Sequence, residues 1–306
     1  MKRKKRRVAI MGINPKRFDR SQIKFFAYLI PVTVIMGLPI LFIVFNAFKP
    51  LDELLTYPPK FITLRPTLEN FRNLIATSTN KAIPMSRYLF NSVLSTALVV
   101  FFSLAITVMA AYCMSKKQYK LKNTLFAVNE AALMFVSVAV AIPRYFIVSK
   151  LGLTDSFWAH VIPLLAMPVG LYLVKQFVDD LPDSMIEAAR IDGADDYTIL
   201  WRIVIPNIAP ALATVAILAF QASWNSVEAS NYFISNEALK SFSFYMTTLT
   251  ANAGNTSAMV GQLSGNAVAG LGMQAAAVLI MFIPNLILFI LLQSRVMNTM
   301  SHSGMK

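Results

Sequence analysis

The chain has 306 residues, of which 56% are hydrophobic and only 14% charged, and its mean hydropathy is +0.57; a soluble domain carries about 25% charged residues. Apolar runs of about 18 residues or more recur along it, which excludes an ordinary soluble domain and predicts an all-α integral membrane protein. The runs are continuous rather than alternating, which excludes a β-barrel. The net charge of +13 does not call for nucleic acid, because ten Lys and Arg lie between Lys2 and Lys24, ahead of the first apolar run, where they flank a membrane span on its cytoplasmic side.

Six spans are predicted in chain order, between a basic N-terminal segment (1–24) and a C-terminal tail (296–306), the membrane-embedded body covering 25–295. The first, about 25–48, contains Pro31 and Pro39; it is too long for a signal-peptide core and no small-x-small site follows it. The second, about 88–114, is uncharged, and its lone Cys113 excludes an intrachain disulfide. The third, about 124–143, carries Asn129 and Glu130. The fourth is about 157–175 (Pro163, Pro168), the fifth about 207–227 (Pro210) and the sixth about 273–294 (Pro284). Prolines inside spans imply kinks whose freed carbonyls find other partners. His160 and His302 are too distant in sequence to form a local metal site.

An even number of spans puts both termini on one side. The pieces 1–24, 115–123, 176–206 and 295–306, with Lys175 at their edge, hold 19 of the 28 Lys and Arg; the pieces 49–87, 144–156 and 228–272 hold nine. That asymmetry predicts N-in, C-in topology. The 228–272 piece is polar, and its Gly261 and Gly265 form a GxxxG expected to make a turn or a short re-entrant element. Glu130 is costly inside a span, on the order of 2.5–3.5 kcal/mol. It is expected to pair with a basic group of the 116–122 loop, with proton coupling as the alternative.

The stretch "EAARIDGADDYTILWRIVIP", Glu187–Pro206, interrupts the oily pattern. Seven of the fifteen acidic residues lie between Asp179 and Asp196. It reads as two short helices: the first has Glu187 and Arg190 three apart and an apolar face of Met185, Ala188, Ala189 and Ile191. Gly193 supplies the left-handed stop, Asp195 caps the second helix, and Pro206 is expected to break it. From the residues alone, a rigid handle for a partner and an amphipathic surface helix both stand open. The seven carboxylates argue against anionic headgroups as its target.

The spacing EAA, three residues, Gly193, nine residues, Ile203, one residue, Ile205-Pro206 resembles the EAA motif of permease subunits of type I ABC importers, with Ile205 in place of the usual Leu. "NAFKPLDELLTYPPKF", "PTLENF", "LFNSVLSTAL", "AAYCMSK", "IPRYFIVSKLGLTDSFWAHVIP" and "FQASWN" resemble further segments of the same family in the same order. Together they cover about 25–295 and are similar to the carbohydrate branch, on the side of the six-span maltose-transporter subunit.

The resemblance implies a type I importer permease fold in a bacterial or archaeal cytoplasmic membrane. The segment 179–206 would be a coupling segment docked through 183–203 on a cytoplasmic ATPase dimer, which binds ATP and Mg; this chain, which has no GxxxxGK[ST], would bind no cofactor and catalyse nothing. A second homologous permease subunit, an extracytoplasmic substrate-binding protein and a sugar substrate are also implied. Glu187, Ala188, Ala189, Asp192, Gly193, Ile203, Ile205 and Pro206 would form the coupling core, with Ala188 and Ala189 permitting close approach. Candidate path residues are Asn91, Ser92, Ser95, Gln221, Trp224, Asn225 and Asn285, each with interhelical hydrogen bonding or interfacial anchoring as the plain alternative. The chain departs from the family in its tail, which keeps only Gly304 and Lys306 of a glycine-spaced ending, in "SWNSVEASNYF", which lacks the proline often following the WN pair, and in its long 228–272 piece. A non-sugar solute, or a self-sufficient secondary transporter, is the alternative function.

Overall fold

A computed structural model describes residues 20–54, 56, 58, 60–79, 83–259 and 265–303; residues 1–19, most of the basic N-terminal segment, together with Gly261, Gly304 and Lys306, lie outside them. The described residues are helical, with no strand among them. In order these are α1 (Arg20–Phe48), α2 (Leu51–Leu54), α3 (Glu69–Thr79), α4 (Met85–Lys116), α5 (Lys122–Leu133), α6 (Ala141–Lys150), α7 (Ile162–Leu165), α8 (Pro168–Asp179), α9 (Asp183–Ile191), α10 (Asp196–Ile199), α11 (Ile205–Asn207), α12 (Ala209–Trp224), α13 (Phe242–Met259) and α14 (Gly265–Ser303). The helix α4 packs against α8 and α12, while α14 packs against α1, α3, α12 and α13.

The outside of this bundle is oily: Tyr28 is 80% and Met36 71% exposed on α1, and Phe101, Ile106 and Phe289 are exposed on α4 and α14. Water would penalise such a surface, whereas a bilayer matches it. Among the described residues three stretches are long and apolar enough to cross a membrane: Ile23–Phe48, Met85–Lys116 and Gly270–Gln293. Two bent pairs, Phe157–Leu165 with α8 (42°) and Asp196–Asn207 with Ala209–Phe233 (82°), bring the count to five if each is one span.

The remaining expected span, 124–143, is broken. Helix α5 ends at Leu133 and α6 starts at Ala141. Twelve residues of α5 reach about 18 Å, short of the ~30 Å hydrocarbon core. Pro143 explains the break: its ring and missing N–H are tolerated in a first helical turn and not in the interior, so α6 can begin only just ahead of it. Pro163 and Pro168 similarly sit in the first turns of α7 and α8 and split the fourth expected span.

Glu130 is exposed on α5 and has no ion pair among the described residues; of the basic groups in the 116–122 loop, one of which was expected to meet it, Lys116 and Lys117 pair with Asp183 and Asp196 and Lys122 donates to Ser115 O (2.8 Å). Its neighbour Asn129 donates to Pro168 O at 3.2 Å, joining α5 to α8. The 228–272 piece, expected to be a loop, is largely helix: a π-type turn at Ala229–Phe233, a short 3-10 turn at Glu237–Leu239, α13, and a start of α14 already at Gly265.

The connection after α1 folds on itself. Glu53, buried, accepts from Thr63 Oγ1 (2.8 Å), Leu64 N (3.3 Å) and Arg65 N (3.2 Å). Buried Asn70 donates from Nδ2 to Ala47 O (3.0 Å) and Lys49 O (2.8 Å), closing the end of α1. Gly272 on α14 lies so close to Asn70 that a Cβ there would stand 2.4 Å from its Oδ1.

Candidate functional site

Helix α9 ends in a Schellman motif. Gly193 takes φ +83, its N–H bonds Arg190 O (3.0 Å), and Ala194 N–H reaches back to Ala189 O (2.9 Å), so two orphan carbonyls are satisfied by a left-handed residue that glycine adopts cheaply. Asp195 then caps α10 by accepting from Thr198 N (3.1 Å). The hydroxyl of Thr198, with that backbone bond, holds the Asp195 carboxyl below its ordinary range.

This helix–Gly–helix unit is fixed to the end of α4. Lys116 Nζ donates to Leu181 O (2.6 Å) and pairs with Asp183 (2.8 Å). The Lys116 hydrogen bond and charge keep the Asp183 carboxyl below its ordinary range. Lys117 pairs with Asp196, which also accepts from Tyr112 OH (3.2 Å) and faces Arg190 (3.5 Å). Arg190 thus serves Asp196, where the sequence had set it beside Glu187. Behind these pairs Ile186, Ala189, Ile199, Leu200 and Val204 join Val108, Ala111, Val174 and Val178 in one core.

The expected coupling residues therefore divide by side. Glu187, Ala188, Asp192, Gly193 and Pro206 are exposed, and Ile203 and Ile205 are half-buried. Ala189 is 8% exposed and belongs to that core, so its small size serves internal packing, and the close approach expected of both alanines is left to Ala188. Ile191 is 87% exposed, and Tyr197 and Trp201 stand out with ring centroids 6.0 Å apart. The last two carry an apolar signal that the motif spacing passes over.

Pro206 does not end its helix. A π-type turn at Leu200–Val204 widens the backbone ahead of it, α11 runs through it, and Asn207 Nδ2 donates to Ile203 O (2.7 Å). The 82° bend falls instead at Ile208, between Pro206 and Pro210. The missing N–H of Pro210 prevents the helix from continuing straight into α12.

Four of the seven expected path residues are engaged inside the fold. Buried Asn91 donates to Ala238 O (2.9 Å) and Lys240 O (3.0 Å), Ser92 Oγ accepts from Phe242 N (2.8 Å), and Ser95 donates to Ser92 O (3.2 Å). Trp224, buried, donates from Nε1 to Met281 O (3.1 Å) and stacks on Phe220. The Ser95 bond stays within α4, while the bonds of the other three tie α4 or α12 to neighbouring segments. Gln221 and Asn225 remain exposed. Asn285 Nδ2 meets Asn225 Oδ1 at 3.4 Å, while Asn285 Oδ1 is buried without a hydrogen bond among the described residues.

Asn225 also lines the broken third span, where a cavity of about 830 Å³ lies between the 132–140 turn, the 163–169 bend and the end of α12. Its charged lining residues are Arg144 and Glu228, paired through Arg144 NH1 to both carboxylate oxygens at 2.9 and 2.7 Å. Sequence reasoning counted Arg144 as a loop charge and passed over Glu228; no local signal joins two residues 84 apart in the chain.

Apolar-skinned helices broken by prolines around a partly polar cavity, with a rigid helix pair fixed at one end, define a solute permease of a membrane. The chain belongs to the family of binding-protein-dependent transport system inner membrane components, whose family model matches residues 103–294; this is a transport component and not an enzyme. It is similar to the sulfoquinovosyl glycerol transport system permease protein SmoH of Agrobacterium fabrum (27% identity over 278 residues, 90% of this chain and 91% of the relative). It is also similar to the arabinooligosaccharides transport system permease protein AraQ of Halalkalibacterium halodurans (28% over 201 residues, 64% and 69%). A chain of a bacterial ABC transporter involved in the import of the acidic polysaccharide alginate shares the fold with a TM-score of 0.71 at 20% identity, covering 91% of this chain and 98% of that one. The fold is that of a type I ABC importer permease.

Proposed function

We propose that the chain is one half of the translocation path of an ATP-driven, binding-protein-dependent importer for a carbohydrate, crossing the bacterial cytoplasmic membrane six times with both termini inside. The broken third helix pair, α5 with α6, is the sixth crossing in this reading. A second homologous permease supplies the other half of the path, a substrate-binding protein delivers the sugar from outside, and an ATPase dimer holding ATP and Mg grips 183–203 from the cytoplasm. Relatives that carry sugar derivatives and arabino-oligosaccharides support the solute class; the lysine and arginine asymmetry supports the orientation.

The observation that carries the coupling role is the α9–Gly193–α10 unit itself. It exposes Ala188, Ile191, Tyr197 and Trp201 on one end of the bundle while its other face is held by α4 through Lys116 and Lys117. Such a unit transmits force without deforming. Glu187 and Asp192 flank the apolar patch and offer carboxylates to a basic partner. The test is Ala188→Arg in the co-expressed importer: the ATPase is expected to fall away during purification while the permease pair stays intact. An importer that still assembled and transported normally would remove the docking assignment.

A further inference from the structure

The Arg144–Glu228 pair is a charge-balanced contact in an otherwise uncharged cavity. Its side chains are 26% and 30% exposed, and the remaining lining combines an exposed aromatic ring, Phe135, with Ser137, Asn225, Ser226 and apolar groups. Arg144 uses one nitrogen for both carboxylate oxygens; among the described residues its Nε and NH2 donors make no other hydrogen bond, and neither Glu228 oxygen accepts another. The pair therefore keeps donors and acceptors available at the cavity while presenting no net charge. Vicinal hydroxyls of a polyol match that set, since each hydroxyl both donates and accepts. An anion drawn to Arg144 meets the Glu228 carboxylate less than 3 Å from the same guanidinium nitrogen, and a cation drawn to Glu228 meets Arg144. Selectivity then comes as much from repelling the wrong solute as from binding the right one.

We infer that Arg144 and Glu228 form a specificity-determining contact on the solute path, admitting uncharged polyhydroxylated solutes and holding back acidic and cationic ones. The inference rests on the proposed transport function, takes this cavity between the broken spans as part of the path, and narrows the substrate class to neutral sugars.

The test is made on the whole importer in proteoliposomes, with Ser137→Cys as a reporter in the lining and Cys113→Ser removing the native thiol. The probes are two thiol reagents of opposite charge, a methanethiosulfonate carrying a sulfonate and one carrying a trimethylammonium group. Relative to the intact pair, Glu228→Gln is expected to raise the anionic-to-cationic ratio of modification rates about tenfold, and Arg144→Gln to lower it about as far, from one unbalanced charge at short range. The double variant Arg144→Gln/Glu228→Gln returns the ratio to its starting value. Should one single variant fail to assemble, the other and the double variant carry the same comparison. A ratio moved by neither substitution overturns the inference, even if radiolabelled sugar is imported. Ratios that shift as stated in an importer that moves no sugar leave the charge filter standing and remove the transport reading instead.

Discussion

Replacing Gly193 by alanine isolates the backbone contribution of the coupling unit. A Cβ built there meets nothing within 4 Å, so alanine introduces no clash, and the cost arises from holding an L-residue at φ +83. That cost is about 1–2 kcal/mol. Asparagine visits the same region more readily because its short polar side chain bonds locally, so Gly193→Asn restores most of the loss in the same open space. The Schellman bonds from Gly193 and Ala194 N–H to Arg190 and Ala189 report the damage directly: a loss of about 1 kcal/mol raises the open population roughly fivefold. Hydrogen exchange in a peptide spanning 189–199 of the purified permease is expected to accelerate about fivefold in Gly193→Ala and much less in Gly193→Asn. In the assembled importer the alanine variant hydrolyses more ATP per solute moved. Equal exchange in glycine and alanine proteins, or equal damage by alanine and asparagine, would refute the left-handed turn as the origin of rigidity.

Gly272→Ala should be the more destructive glycine change, because its Cβ would press on Asn70 at 2.4 Å and dislodge the amide that closes α1. Losing buried hydrogen bonds of this kind costs about 1–3 kcal/mol, read as a fall of several degrees in the melting midpoint in detergent, with Asn70→Ala recovering part of the space. Acidification should loosen the α9 anchor. The Asp183 carboxyl is lowered by Lys116, so its contribution is complete above the ordinary carboxylate range and is lost as pH falls through the depressed value, below about pH 4. Because Asp183 is exposed, the effect is small and salt-screened; hydrogen exchange in 183–199 should rise on acidification in the native protein and rise less in Lys116→Met, where only the Asp195 cap and the Lys117–Asp196 pair are left to titrate.

Much of the coupling unit is legible in the sequence because its determinants are local. A left-handed glycine and a capping aspartate act within three residues of themselves, and Gly193 and Asp195 stand where their chemistry requires. The spans were legible where apolar runs are long and uninterrupted, as in α4, and misread where a proline acts: Pro143 divides the third, while Pro206 is absorbed by a π-type turn no local rule foretells. Side choice was less visible. Ala188 and Ala189 are neighbours of one type, yet 100° of helical rotation puts one outside and the other in the core. The ion pairs were not legible at all: Arg144 and Glu228 are 84 residues apart in sequence, and only the fold brings them together.

Helix α4 touches both working ends of the molecule. Near its start Asn91 and Ser92 hold the backbone of Ala238, Lys240 and Phe242; at its finish Lys116 and Lys117 hold the α9–α10 unit. The 26 residues of unbroken helix from Asn91 to Lys116 span about 38 Å and contain no proline. It is a strut pinned at each end, and a strut carries displacement without storing it. In the proposed coupling role, a tilt imposed on the acidic handle would reach the Ala238–Phe242 clasp as one rigid movement, and the two sides of the chain would keep step mechanically with no separate signal to tell one that the other has moved.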